Sequence, residues 1–151
     1  MTNSAIFKFQ ARWADMDFNG HMKNTAYLDY SADCRLLYFK SHGFSMSNFK
    51  KLQIGPVVLD DHIRYFNEIM MYQGFSVKLL LQGINEDGSR FRFFNIFKNE
   101  QKNTVATVLS NACWFDLVNR KIKAPPEKLL NLMVQLEKTK DFRPMESRQQ
   151  N

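Results

Sequence analysis

The chain has 151 residues, the length of a single domain of typical size. With 44% hydrophobic and 24% charged residues, its composition is that of a soluble globular protein and argues against disorder, collagen-like sequence and a membrane span. The net charge is +6, but after residue 118 eight Lys and Arg face four Asp and Glu, in a turn and a polar tail. Nucleic-acid binders concentrate basic charge on one face or stripe, so the pattern argues against a nucleic-acid partner. A phosphate-bearing small molecule fits the mild excess equally well.

The two cysteines, Cys34 and Cys113, lie in apolar patterns and lack metal-ligand spacing. We expect small buried thiols in a reducing compartment rather than a disulfide or a nucleophile. The first nine residues lack the apolar core of a signal peptide, and no stretch approaches the ~20 apolar residues of a spanning helix. The sequence therefore predicts a cytoplasmic protein without a membrane partner.

The N-terminal third predicts a strand, a loop and a long helix. Alternation predicts a strand over residues 5–13, and Asp, Asn and Gly supply turn chemistry in a loop over residues 14–23. Asn24 is the expected N-cap of the helix, and Gly43 should end it in a left-handed conformation. The apolar residues of this helix recur at spacings of three and four: Tyr27, Tyr30, Cys34, Leu37 and Tyr38.

The remaining sequence predicts four antiparallel strands and a short helix. Residues at alternate positions should share a sheet face in the first two of these strands: Val57, Leu59, Asp61, Ile63 and Tyr65, then Phe75, Val77, Leu79 and Leu81. The Asp87-Gly88 pair predicts a hairpin turn before a strand over residues 90–98, and a long strand follows over residues 105–117. Pro125-Pro126 opens a predicted helix over residues 127–137.

This order of elements predicts one α+β domain over residues 1–139, with the long helix against one face of an antiparallel sheet. A polar C-terminal tail over residues 140–151 should be frayed. Both alternating sets of the later strands are largely apolar, so the second face of the sheet should be partly covered. Pairing of subunits would cover it.

The segment from Arg12 to Tyr27 carries the most informative chemistry. It places Asp17 a few residues before the predicted helix, and Gly20 allows close approach of the backbone. Unpaired amides at a helix N-terminus polarise an anion or a developing oxyanion. A carboxylate beside them can activate water or attack an electrophilic carbonyl directly. The segment therefore contains half of an acyl-transfer site, although Asp and Gly are also common turn residues before helices.

This segment resembles the hotdog-fold acyl-CoA thioesterases of the 4-hydroxybenzoyl-CoA thioesterase type, whose pattern is Asp-x-Asp-x-x-Gly-His-x-x-Asn-x-x-Tyr. The matching residues are Asp15, Asp17, Gly20, His21, Asn24 and Tyr27, with Arg35 at a frequent arginine position further along the helix. Later landmarks follow the family's order: Ile63-Arg64-Tyr65, Tyr72-Gln73-Gly74, the Asp87-Gly88 turn and the strand over residues 105–116. The resemblance spans about residues 7 to 133.

The resemblance implies a hotdog fold, in which an antiparallel sheet wraps around one long central helix. It implies a homodimer with a continuous sheet, or a homotetramer, with active sites at the dimer interface. The family's catalytic carboxylate falls on Asp17, as nucleophile or general base. Backbone amides around Asn24 and Thr25 would polarise the thioester carbonyl. No metal or other cofactor is expected, because coenzyme A enters as part of the substrate and the helix terminus supplies the electrophile.

Other residues near this motif have both structural and functional interpretations. Asp15 should hold the loop through local backbone bonds, and His21 either orients water or substrate or is a hydrogen-bonded loop residue. Asp61 is either partnered or functional. Four bases are candidate contacts for coenzyme A phosphates, although bases on a sheet face are usually solvated: Arg64, Lys78, Arg90 and Arg92.

The leading hypothesis is an acyl-CoA thioesterase that releases a carboxylic acid and free coenzyme A. One alternative is a hotdog hydratase or dehydratase, with His21 as the base. Another is a non-catalytic acyl-CoA or acyl-carrier binding module, because Lys23 and Ala32 stand where many relatives have Asn and Glu. An acyl-carrier thioester also remains a possible substrate, since carrier proteins are acidic and this chain is basic.

Overall fold

The computed structural model describes residues 2–146, which form a seven-stranded sheet and three α-helices. The strands are β1 (Ile6–Gln10), β2 (Ile54–Tyr65), β3 (Gly74–Ile84), β4 (Arg90–Asn99), β5 (Thr104–Asp116), β6 (Lys121–Ile122) and β7 (Lys138–Pro144). The helices are α1 (Ala26–Ser41), α2 (Met46–Leu52) and α3 (Glu127–Val134). The strand order is β1-β3-β4-β5-β2, with β6 beside β5 and β7 beside β3. Among the pairings of these seven strands, β3–β7 is parallel and the others are antiparallel.

Helix α1 packs on the face of the sheet that we call the inner face, which carries Phe75, Val77, Phe93 and Phe97. Aromatic rings fill most of this layer. Tyr30 meets Phe75 edge-on with ring centroids 4.9 Å apart, and Tyr27 meets Phe97 at 5.2 Å. Each such pair contributes about 0.5–1.5 kcal/mol beyond the burial of its area, which explains the use of so many Phe residues. The predicted α+β architecture, with the helix against one face of the sheet, is confirmed.

Helix α1 begins one residue later than predicted. Its N-cap is Thr25, so the assignment of Asn24 as N-cap is wrong. The Asn24 carbonyl instead accepts a hydrogen bond from the Tyr65 hydroxyl at 2.9 Å, which ties the end of β2 to the start of the helix. At the other end, Gly43 has the expected left-handed conformation, with φ +82°.

A β-bulge in β2 changes the predicted grouping of its residues. Val58 lies opposite Ala112 and Asp60 lies opposite Asn111, so Leu59 is the extra residue. The insertion reverses the alternation, because side chains in a strand alternate with period two. Val57 therefore does not share a face with Asp61, contrary to the sequence prediction, whereas Val58 does, and Leu59 lies outside the regular alternation.

The C-terminal segment is a strand where the sequence predicted a frayed tail. Helix α3 ends at Val134, and β7 then pairs with β3, so the expectation of fraying is wrong for residues 140–144. Residues 147–151 of the predicted tail lie outside the described residues. The segment also covers part of the second face of the sheet, where Leu80 and Gln82 are each 5% exposed. This part of the face is thus covered within one chain.

Both cysteines are buried free thiols, as the sequence predicted. Burial raises the pKa of Cys34 to about 12 and also raises the pKa of Cys113. No helix within residues 2–146 has the length and apolar character needed to cross a membrane.

Candidate active site

Asp17 lies in a tight loop that its own carboxylate organises. Its Oδ1 accepts hydrogen bonds from the backbone N–H groups of Asn19 at 2.8 Å and His21 at 3.2 Å. Gly20 turns the chain back with φ +76°, a conformation that costs little without a Cβ. Within residues 2–146 no protein group hydrogen-bonds to Oδ2. One carboxylate oxygen therefore holds the loop, and the other is available for chemistry.

Asp15 stabilises this loop through hydrogen bonds and is only 4% exposed. Its Oδ2 accepts hydrogen bonds from the Arg12 backbone N–H at 2.9 Å and from the Tyr30 hydroxyl, and its carbonyl oxygen accepts the Lys23 N–H at 2.7 Å. Burial alone would raise the pKa of Asp15, but the hydrogen bonds from Tyr30 and Arg12 outweigh burial and hold this pKa below its ordinary value. Asp15 thus joins the loop to α1 as a buried anion.

His21 connects the loop to the segment after β2. Its Nε2 lies 3.0 Å from a carboxylate oxygen of Glu68, and the Met22 backbone N–H donates to the Ile69 carbonyl at 2.7 Å. The imidazole is therefore paired with an acid. Sequence reasoning missed Glu68, since nothing in the local pattern around His21 points to a residue so far along the chain.

The N-terminus of α1 offers unused hydrogen-bond donors. Asn24 and Thr25 are exposed, and within the described residues neither backbone N–H donates to a protein acceptor. The Thr25 side chain also makes no capping bond. Free N–H groups at a helix start carry the positive end of the helix dipole, so this terminus can bind an oxyanion.

An open cavity of about 500 Å³ lies beside Asp17. It is lined by Trp13, Ala14, Met16, Asp17, Phe18, Gly20 and Met71. Trp13 is 75% exposed and Phe18 is fully exposed. Clustered exposed apolar side chains usually mark a binding surface. Apolar residues within a loop of turn-forming residues are the sequence signal that could have identified this rim.

Asp61 lies outside the Asp17 loop and has a partner. The buried Ser110 hydroxyl donates to its Oδ1 at 2.5 Å across the β2–β5 pairing. The sequence left open whether Asp61 is partnered or functional, and in the structure it is hydrogen-bonded to a partner.

The candidate phosphate-binding bases do not form one cluster. In the sheet register, Arg64 lies opposite Thr107 of β5 and Arg90 lies opposite Cys113 of the same strand. Thr107 and Cys113 are six residues apart, so the two arginines are separated by roughly 20 Å along the strand direction. Arg64 lies next to Tyr65, which contacts the start of α1. Arg92 donates to Gln82 at 3.2 Å.

Lys78, the fourth candidate base, forms an ion pair with Glu137 at 2.7 Å. Within residues 2–146, no three His, Cys, Asp or Glu side chains are grouped closely enough to bind a metal ion.

Comparison with known proteins adds the family. The thioesterase-like superfamily matches residues 11–133, which is most of the chain. No match is found among curated proteins.

Three solved structures illustrate the likeness of the fold. A Staphylococcus aureus protein in complex with CoA has 19% identity and a TM-score of 0.81, with 99% of this chain and 91% of that chain covered. An Aquifex aeolicus protein has 23% identity and a TM-score of 0.78, with 85% of this chain and 98% of that chain covered. A 1,4-dihydroxy-2-naphthoyl-CoA thioesterase from Synechocystis has 16% identity and a TM-score of 0.78, with 87% of this chain and 96% of that chain covered. From its superfamily match and its curled antiparallel sheet around one long helix, the chain belongs to the thioesterase-like superfamily and has the hotdog fold.

Proposed function

We propose that the protein is an acyl-CoA thioesterase, which hydrolyses a thioester to a carboxylic acid and free coenzyme A. The observation that carries the proposal is the placement of Asp17: within the described residues one of its carboxylate oxygens accepts no hydrogen bond, and Asp17 lines an open, aromatic-rimmed cavity. The superfamily match and the CoA-bound structural neighbour support a CoA thioester as the substrate.

In the proposed reaction, the carbonyl oxygen of the thioester accepts hydrogen bonds from the free N–H groups of Asn24 and Thr25. Asp17 then follows one of two routes. It removes a proton from water as the water attacks the carbonyl carbon, or it attacks that carbon itself and forms an anhydride that water cleaves. In both routes the C–S bond breaks and coenzyme A leaves as a thiolate, which takes up a proton. Each oxyanion donor of this kind contributes about 2.7–4 kcal/mol to transition-state stabilisation.

The proposed active unit is a homodimer, with the free edge of β2 as the subunit contact. Within the described residues β2 pairs on one side only, with β5, and it is twelve residues long. Leu59 and Phe66 expose half of their surfaces at or just beyond this strand. Long apolar edges promote association, so pairing of two β2 strands would extend one sheet through both subunits. Arg64 is the base best placed for coenzyme A phosphates, because its strand end adjoins the start of α1.

The proposal is tested by incubating the purified protein with acyl-CoA thioesters of graded chain length and with aryl-CoA thioesters, while free thiol is measured. We expect thiol release well above the uncatalysed rate for at least one thioester. Tight binding without thiol release from any of them would replace the proposal with a non-catalytic acyl-CoA binding module. An acyl-carrier thioester in the same assay distinguishes the two carriers.

The pairing of His21 with Glu68 favours a second candidate, a hydratase, since hydratases on this fold typically use a His paired with an acid. That reaction would add water to an enoyl-CoA without thiol release. The hydratase would be favoured if the wild type lowers the enoyl absorbance, His21→Ala does not, and saturated thioesters are not hydrolysed.

A further inference from the structure

A second cavity, of about 220 Å³, lies between α1, α2 and the inner face of the sheet. Its walls are mainly apolar and include Leu36, Phe39, Phe49, Val58 and Phe93. Two polar side chains, Arg35 and Ser110, also line it. Pockets for drug-sized ligands usually measure about 300–1,000 Å³, so this one suits a short acyl group and not a whole coenzyme.

Arg35 brings an unsatisfied donor to this cavity. Its Nη1 is buried and has no hydrogen-bond partner within the described residues. The negative charge of Asp61 acts on the guanidinium, but no carboxylate of residues 2–146 lies within 4.0 Å of it. Asp61 is instead bonded to Ser110. Burial lowers the pKa of Arg35 while the charge of Asp61 raises it, and an arginine remains protonated in proteins.

A buried guanidinium with a free N–H is costly unless an acceptor reaches it. The fork of N–H groups on arginine matches a carboxylate, and an ionised acceptor makes the strongest bond to it. Apolar walls around the cavity strengthen this bond, since they exclude competing water. The chemistry that the cavity would recognise is therefore an apolar chain that ends in a carboxylate.

The cavity is within reach of the proposed oxyanion site along α1. Arg35 lies ten residues after Thr25, about 15 Å along the helix axis, and helical side chains lean back toward the N-terminus. Strand β2 follows α1 over this distance: Tyr65 contacts Asn24 at the N-terminal end, and Val58 lines the cavity with Arg35. The Arg35 side chain itself reaches back over part of these ~15 Å, so an extended acyl group of roughly five to eight carbons, with bonds of about 1.5 Å, should span the rest.

We propose that this cavity binds the far end of the acyl group and that Arg35 selects CoA thioesters of dicarboxylic acids. The inference rests on the proposed thioesterase function and names its substrate class. Arg35 contacts the end of the acyl group remote from the scissile bond, so it determines specificity and takes no part in the bond-breaking step.

The test compares matched thioesters that differ only in the terminal group: glutaryl- with pentanoyl-CoA, adipyl- with hexanoyl-CoA, and pimeloyl- with heptanoyl-CoA. For the best-fitting length we expect the kcat/KM of the wild type to favour the carboxylate by at least tenfold. Arg35→Met should abolish that preference, and Arg35→Lys, which keeps the charge but not the fork, should retain part of it. Arg120→Met removes an exposed arginine and should leave the ratio unchanged.

Two outcomes would overturn the proposal. One is the absence of a carboxylate preference in the wild type at all three lengths. The other is an equal loss of kcat/KM for both thioesters of a pair in Arg35→Met, together with a lower Tm that Asp61→Asn reproduces. A purely structural interaction between Arg35 and Asp61 would give that result.

Failure of the proposed function gives a different result. If the wild type hydrolyses no thioester, the thioesterase proposal fails, but calorimetric titration of the wild type with the same pairs still tests Arg35. Tighter binding of the carboxylated thioester, lost in Arg35→Met, supports the cavity assignment. Equal Kd values for each pair overturn it.

Discussion

Two aspartates separated by one residue have opposite surroundings. Asp15 is buried, and both the Tyr30 hydroxyl and the Arg12 backbone N–H donate to its Oδ2. Asp17 is exposed and uses one oxygen for the loop, so the other remains available. The same side chain therefore serves as a structural anion at one position and as the proposed catalytic group at the other, because the environment differs.

The first prediction concerns Asp15. Its native pKa is held below its ordinary value, so its contribution to stability is fully present above the unfolded-state pKa of about 3.9 and is lost as pH falls through the native pKa. Asp15→Asn should lower the free energy of unfolding by about 1–3 kcal/mol at pH 7. Urea unfolding at pH 7 and pH 3 checks this, because the difference from wild type should shrink at pH 3. An equal difference at both pH values would contradict the assigned role.

The second prediction concerns the thiols. With its pKa raised to about 12 by burial, Cys34 has almost no thiolate at pH 8, and burial blocks access to Cys113 as well. A chromogenic disulfide reagent should label neither thiol in the native protein and both in guanidinium. Labelling of a native thiol at the rate of free cysteine would contradict the burial.

At the scale of elements, the sequence predicted β1, α1 and the order of β2 to β5, because each has a clear period of two or 3.6 residues. Helix α2 was missed, since it is short and its Ser45 cap pairs with Asn48 instead of the usual Glu or Gln. The bulge at Leu59 leaves no local signal, and β7 is a polar strand whose partner β3 is distant in sequence.

In the candidate site too, local sequence patterns indicated only the parts that lie within one short segment. The Asp17 loop and the helix N-terminus lie within one short segment, so the motif located them. Glu68 and the Arg35 cavity depend on strands that return from elsewhere in the chain, and only the folded structure brings these groups together.

The third prediction tests β7 through Phe142, which is half-buried and packs against the core. Phe142→Ala should destabilise the protein by about 1–2 kcal/mol, less than the 3–5 kcal/mol of a fully buried Phe. The fully exposed Phe18 provides the control, since Phe18→Ala should leave the Tm nearly unchanged. Equal Tm values for the two variants would mean that the C-terminal segment is frayed in solution.

At the scale of the whole molecule, β2 is one of the two end strands of the sheet, and its outer edge is unpaired within the described residues. The proposed dimer would bury this edge and bring two Asp17 loops into one assembly. The fourth prediction is that the wild type sediments as a dimer or tetramer of the 17.8 kDa chain. Leu59→Lys, which places a charge on the edge strand, should shift it toward the monomer. A monomeric wild type at micromolar concentration would contradict the proposed interface.

The account depends most on the free carboxylate oxygen of Asp17, and Asp17→Asn tests it directly. Asparagine keeps an oxygen that can accept the Asn19 and His21 N–H groups, so the loop, the Tm and the Kd for an acyl-CoA should stay close to wild type. The kcat for thioester hydrolysis should fall by about 10²–10⁴-fold. Asp33→Asn, the same charge change at an exposed position of α1, should retain full activity. Hydrolysis by Asp17→Asn within twofold of the wild-type rate would contradict the central claim.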